Sequence, residues 1–199
     1  TSEVNINVQL NRIHLEEDAG KSIHDVLASH SCIDLNRAGT PLIEIVTEPD
    51  LYSAEEAWQY VTEIRKLVRW IGVCDGNMEE GSLRCDANIS VKLKGAEKLG
   101  TKVEVKNLNS IRNIKKAIEF EINRIIKELE AGNKIVQETR SYDADKDITF
   151  SMREKEEAND YRYFPDPDLP PIILTKEKIA SIKNSLPLLP NEWYAIIQH

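Results

Sequence analysis

Residues 83–93 alternate without a break. Leu83, Cys85, Ala87, Ile89, Val91 and Leu93 stand on one side; Arg84, Asp86, Asn88, Ser90 and Lys92 stand on the other. A period of two is the spacing of a strand with one face in a core and one toward water. Thr101–Lys106 repeats it, with Val103 and Val105 against Lys102, Glu104 and Lys106. The period then changes. From Ser110 to Ala131, Ile111, Ile114, Ile118, Ile122, Ile125, Ile126 and Leu129 form a helical stripe, and Gly132-Asn133 supplies a stop. An earlier helix opens at Ser53, where Ser53 and Glu56 have capping-box spacing. Its stripe is Ala57, Tyr60, Val61, Ile64, Leu67, Val68 and Ile71, and Gly72 follows. Strands and helices do not alternate strictly. This predicts an α+β fold, a largely antiparallel sheet with packed helices, over a parallel doubly wound one.

The remaining segments fit that class. Glu3–Val8, Asn11–Leu15, Ser31–Leu35 and Pro41–Thr47 read as strands, the last two separated by the turn-rich stretch 36–40. Lys134–Arg140 and Asp147–Arg153 read as a strand pair joined through residues 142–146. Tyr161–Pro171 holds four prolines and reads as a rigid extended loop. Thr175–Ser185 reads as a short helix, and Trp193–His199 is an apolar stretch without an end signal. A chain that opens on Thr1 with strand patterning from Glu3 reads as a piece of something longer. No apolar run reaches the length of a membrane span, and no signal peptide opens the chain. Cys32, Cys74 and Cys85 form no C-x-x-C pair and read as small core residues of a protein in a reducing compartment. The formal charge of -8 argues against a free-standing nucleic-acid binder.

The common nucleotide and hydrolase motifs are missing, and eight glycines in 199 residues leave no glycine-rich phosphate cradle. Carboxylates near strands remain. Glu44 lies in the apolar run 41–46, of the kind found inside a sheet, where a buried charge needs a cation or metal partner; an edge strand with Glu44 facing water is the alternative. Asp86 shares a strand face with Arg84 and Asn88, and Glu104 stands between Lys102 and Lys106. Glu16-Glu17-Asp18 and Glu79-Glu80 sit at strand ends. Each can be a solvated face or loop. Together, oxygen donors on a sheet beside Lys and Arg suit Mg²⁺ and phosphoryl chemistry. His14 precedes the first acidic cluster, within reach of a ligand role, although a surface or core imidazole is the simpler assignment.

Five blocks then carry a resemblance. They are residues 14–21 (His14 to Lys21), 32–50 (Cys32 to Asp50, with Pro41-Leu42-Ile43-Glu44-Ile45-Val46), 78–90 (Met78-Glu79-Glu80-Gly81 through Ser90), 106–110 (Lys106-Asn107-Leu108-Asn109-Ser110) and 160–168 (Asp160 to Asp168). Long, ordered and spread over about residues 13–170, they are similar to the B-subunit family of the tRNA-dependent aspartyl/glutamyl amidotransferase. The resemblance implies a glutamine synthetase-like catalytic (cradle) domain. Residues 1–175 would be part of it; residues 176–199 would end it and start the link to a C-terminal helical domain. It implies a cytoplasmic or organellar-matrix ligase in a heterotrimer, whose partners are an amidase and a small third protein. That ligase uses ATP and Mg²⁺ to phosphorylate the side-chain carboxylate of Glu-tRNA(Gln) or Asp-tRNA(Asn), then amidates it with ammonia from the amidase. Carried over by position, Glu17, Glu44, Glu80, Asp86 and Glu104 are metal candidates. Arg84 and Lys106 are catalytic candidates that neutralise phosphate. Asn88, Asn107 and Asn109 are candidates for holding the ribose or acyl group.

The family opens with a strand carrying G-L-E-x-H, whose Glu and His complete the metal site, and no such block precedes Thr1. Residues 1–199 alone are therefore expected to be inactive, with tRNA contacts mainly in domains beyond them. Two other classes stay open: a glutamine synthetase-like ligase for a small-molecule carboxylate, and an inactive scaffold fragment.

Overall fold

Asp18 ties the end of the first strand to the turn at 37–40. The computed structural model describes residues 6–27, 30–154 and 171–197, and the chain divides into two compact units between Tyr52 and Ser53. In the first unit, strands β1 (Leu10–Glu17) and β4 (Pro41–Thr47) pair antiparallel, and the hairpin of β2 (Lys21–Leu27) and β3 (His30–Asp34) is inserted between them. The Asp18 N–H donates to Thr40 O at 2.8 Å, and its carbonyl accepts from Gly39 N at 2.9 Å. Its carboxylate takes Arg37 Nε at 2.7 Å. Gly39 has φ +76°, a left-handed conformation that glycine adopts without a Cβ clash. This lock sets Glu17 opposite Pro41 and His14 opposite Glu44.

Two expectations change here. Of the strand expected at Glu3–Val8, Glu3–Asn5 lie outside the described residues and 6–8 have no regular structure, whereas the strand expected at Asn11–Leu15 is present and runs from Leu10 to Glu17. Its partner β4 ends at Thr47, opposite Leu10, and Glu48 N–H still donates to Gln9 O at 2.8 Å just beyond it. Strand β2 has no counterpart in the sequence reading. Lys21–Leu27 mixes Lys, His and Asp with apolar residues, and pairing with β3 makes it a strand.

In the second unit the two long helices form as expected. Ser53 caps α1 (Ala54–Trp70), its side chain accepting from Glu56 N at 3.1 Å. Ser110 caps α2 (Ile111–Glu130) in the same way through Asn113 N. Helix α2 follows β6 (Val103–Lys106) and leads to β7 (Glu138–Asp143), which runs parallel to β6. Strands β5 (Ala87–Ile89) and β8 (Ile148–Glu154) complete a four-stranded sheet in the order β5-β6-β7-β8, with both outer pairs antiparallel. All other strand pairs are antiparallel, as expected. Helix α2 covers one sheet face and α1 packs on α2. Val103, Val105, Ile114, Ile125 and Tyr142 are buried in that layer; each aliphatic side chain so buried stabilises by about 1.5–3 kcal/mol.

The eleven-residue alternation at 83–93 yields only three paired residues. The alternation is real in burial, since Cys85, Ala87 and Ile89 are more covered than Arg84, Asp86 and Asn88. Alternation reports extended backbone facing a core, not a neighbour of equal length. The partner β6 has four residues, and Leu93 is 85% exposed. Strand β7 also starts later than expected. Asp143 Oδ1 accepts from Asp145 N and Lys146 N, so the tight turn falls after Asp143 and Tyr142 joins the strand. Further on, α3 (Lys176–Ser185) is capped by Thr175, and α4 (Pro190–Ile197) begins at a proline. The expected loop at Tyr161–Pro171 lies outside the described residues except for Pro171. Among the described residues no helix is long and apolar enough to cross a membrane.

Candidate functional site

The sheet of the second unit sorts its side chains by register. Val103 and Val105 of β6 point to α2; Glu104 and Lys106 take the opposite face. Asn88 lies opposite Glu104 on β5, and Thr139 lies beside Glu104 on β7. Asp86, just before β5, reaches the same face. Its Oδ2 accepts from Lys106 Nζ at 2.5 Å, while Glu104 Oε1 lies 3.3 Å from the same nitrogen. Thr139 Oγ1 donates to Glu104 Oε2 at 2.9 Å. Both oxygens of Glu104 are thus engaged, and its side chain is only 18% exposed. Partial burial works against the Lys106 charge, but the hydrogen bond and charge of Asp86, then of Glu104, outweigh it and raise the lysine above its ordinary pKa. Asp86 and Glu104 are hard oxygen donors on one rigid surface, a donor set that fits Mg²⁺.

The other candidates of this unit spread out. Arg84 is exposed and donates from Nε to Gly81 O at 3.2 Å. Glu80 is exposed in the turn 78–81, where its backbone N–H donates to Asn77 Oδ1 at 3.3 Å. Asn107 has φ +64°, a conformation asparagine tolerates better than most residues. Its Nδ2 donates to Tyr142 O at 3.1 Å and its Oδ1 accepts from Asn109 Nδ2 at 3.0 Å. These amides shape the β6–α2 turn. Asn109 also lines a polar groove of about 470 Å³ at the start of α2, with Arg65, Arg69, Asp75, Asn77 and Glu79.

In the first unit the β1–β4 register separates two expected partners. Glu44 faces the side of Arg12, His14 and Glu16; Glu17, opposite Pro41, faces the other. Glu44 Oε2 pairs with Arg12 Nη2 at 3.0 Å, and the Glu44 side chain is 42% exposed. The accessible-edge reading of this strand therefore describes it better than the buried one. His14 Nδ1 lies 3.3 Å from Glu16 Oε1. His14, Glu16 and Glu44 each offer a ligand atom within 4.8 Å of the others. An imidazole and two carboxylates there form a second donor set that could hold a metal, and Glu16 joins it in place of Glu17.

Sequence reasoning missed the residues that brace the sheet face. Glu121 of α2 is fully buried, and its carboxylate accepts from Arg124 and from Thr149 Oγ1 at 2.7 Å, with Arg140 Nε at 3.5 Å. Arg140 Nη1 also reaches Glu138 at 2.7 Å. This network pins β7 and β8 to α2, next to Thr139. One signal was present: Glu121 falls between Ile118 and Ile125 on the helix stripe, where a charge requires buried partners.

Known proteins bear on these residues. A family model described as the GatB/GatE catalytic domain matches residues 1–180. The B subunit of the aspartyl/glutamyl-tRNA(Asn/Gln) amidotransferase of Pseudomonas paraeruginosa is 60% identical over 183 residues, 92% of this chain and 38% of its own length. Proteins of the same name from Thioalkalivibrio sulfidiphilus and Francisella tularensis subsp. novicida are 57% and 56% identical over 93% and 95% of the chain. The chain spans 38–40% of the length of these relatives. With nine-tenths of its residues matched by one family model, the chain belongs to the GatB/GatE catalytic-domain family.

Proposed function

We propose that this chain is catalytic-domain sequence of the B subunit of a tRNA-dependent amidotransferase, with a glutamine synthetase-like cradle. The protein would activate the side-chain carboxylate of Glu-tRNA(Gln) or Asp-tRNA(Asn) with ATP and Mg²⁺. A carboxylate oxygen attacks the γ-phosphorus and ADP leaves. Ammonia, supplied by an amidase partner in a complex with a small third protein, then attacks the carbonyl carbon and phosphate leaves. Mg²⁺, when bound, supplies charge neutralisation of the phosphates. Asp86 and Glu104 hold it on the sheet face, with Glu44 serving in the first unit and Glu80 and Glu17 as further family positions. Arg84 and Lys106 offset phosphate charge as it develops. Asn88 lies beside Glu104, where its amide can orient the acyl or ribose group.

The observation that carries this reading is the convergence of Asp86, Glu104 and Lys106 on one sheet face, in a chain 60% identical to a B-subunit relative over 183 residues. The test is ATP-dependent amide formation on each misacylated tRNA by the full-length protein assembled with its amidase and small partners. Asp86→Ala and Glu44→Ala are each expected to abolish amide formation while glutamine hydrolysis by the amidase persists at least in part. Normal amidation by both variants refutes the assignment.

A further inference from the structure

Lys106 is held by Asp86 and Glu104, so the role just given to it requires its release. An ammonium held by two carboxylates has little charge left for a phosphate. The two carboxylates, in turn, face a cation that is already present. Thr139 makes the arrangement asymmetric. Its hydroxyl belongs to a residue 2% exposed, sits on the neighbouring strand and fixes Glu104 Oε2 at 2.9 Å. Glu104 therefore stays in place if the ammonium moves. Lys106 can move: its side chain is 39% exposed, on a flexible four-carbon stem.

We infer that Lys106 is a built-in occupant of the acidic site, holding Asp86 and Glu104 until a divalent cation displaces its ammonium toward incoming phosphate. The inference rests on the reading that Asp86 and Glu104 hold Mg²⁺. With Lys106 in place, the three side chains carry one net negative charge. A divalent ion in its place neutralises both carboxylates and leaves Lys106 free and positive. One exchange thus loads the metal and arms the phosphate-neutralising group. No bond is made or broken, and no proton need be transferred. The ordered consequence is that metal and phosphate favour each other's binding, because each stabilises the same displaced lysine.

The test titrates Mn²⁺ into the full chain and follows free Mn²⁺ by electron paramagnetic resonance. All proteins carry Glu44→Gln, so that the His14, Glu16 and Glu44 cluster does not contribute. Lys106→Met is expected to bind Mn²⁺ about tenfold tighter than its Lys106 parent, since no ammonium competes. Added inorganic phosphate is expected to tighten Mn²⁺ binding by the parent and to have a smaller effect in Lys106→Met. Equal or weaker Mn²⁺ binding by Lys106→Met overturns the inference. Asp86→Asn and Glu104→Gln separate the two layers. If neither weakens Mn²⁺ binding, the metal-site reading itself fails; if both do and Lys106→Met binds no tighter, only the displacement fails. A measurement on unsubstituted protein covers the case in which Lys106→Met folds poorly. The ¹H–¹⁵N signal of the Lys106 ammonium, protected by its ion pairs, is expected to lose protection when Mg²⁺ is added. An unchanged signal at saturating Mg²⁺ overturns the inference.

Discussion

Replacing Glu121 with alanine tests how the sheet face is braced. The carboxylate is fully buried; it accepts from Arg124 and from Thr149 Oγ1 at 2.7 Å, and Arg140 Nε, which donates to Thr149 Oγ1, stands 3.5 Å away as an ion-pair partner. Alanine removes the charge and leaves two mostly buried guanidinium groups, Arg124 on α2 itself and Arg140 on β7, without that carboxylate. Breaking one side of a buried ion pair costs about 3–5 kcal/mol. Glu138 partly compensates, holding Arg140 at 2.7 Å and lying 3.6 Å from Arg124, so the lower end applies, about 3 kcal/mol. Helix propensity does not offset this, since Glu and Ala differ by only a few tenths of a kcal/mol. In urea, with a slope of about 1–3 kcal/mol per molar, the midpoint should fall by about 1–3 M. Glu121→Gln keeps an acceptor for Thr149 and should lose less. Glu63→Ala is the control: its pair with Lys66 at 2.6 Å is mostly exposed and should cost less than about 1 kcal/mol. If Glu121→Ala costs no more than Glu63→Ala, Glu121 does not sit between α2 and the sheet, and the bracing argument is wrong. The functional consequence is local. Thr139 precedes Arg140 on β7, so loosening Arg140 should weaken the Thr139–Glu104 hydrogen bond before the chain unfolds.

Three further outcomes can be checked. Burial pushes the Cys85 thiol up to about 12, with the Asp86 charge adding to the effect; in native protein at pH 8 it should resist alkylation, whereas urea-unfolded chain should expose all three cysteines to the reagent. Hydrogen bonds from Lys116 and Tyr142 hold the Asp147 carboxyl below its ordinary pKa. Its stabilisation is present above the unfolded-state value of about 3.9 and is lost as pH falls through the lower folded value, so stability should drop from about pH 4 downward, less steeply in Asp147→Asn. A Cβ at Gly100 would collide with the Val91 carbonyl oxygen, so Gly100→Ala should force backbone to move and cost about 1–3 kcal/mol, read as a lowered melting temperature; an unchanged melting temperature would show that this close approach is absent.

Local signals in the chain were read well where they needed only neighbours in sequence. Ser53 and Ser110 begin helices because a side-chain oxygen one turn ahead satisfies a free N–H, and glycines at 72 and 132, both left-handed, follow the helix ends. Pro41–Thr47 is a strand as expected. Trouble began where a partner strand mattered. The eleven alternating residues around Asp86 held their facing but kept three paired positions, and Lys21–Leu27, weakly patterned, became a strand because β3 lay beside it.

The candidate site follows the same division. Its residue types and their facing were legible: carboxylates and lysines on strands whose other face is core. Composition and local spacing carry residue types and the face each takes, because backbone periodicity is a nearest-neighbour property. Tertiary structure decided which of them meet. Register across β1 and β4 put Glu16, and not Glu17, on the side of Glu44, since shifting by one residue along a strand reverses the face. The parallel β6–β7 pairing set Thr139 against Glu104, thirty-five residues away, and the turn into β5 brought Asp86 to Lys106, twenty residues away. Those distances are closed by sheet pairing and by the burial of α2, so no window of sequence contains them.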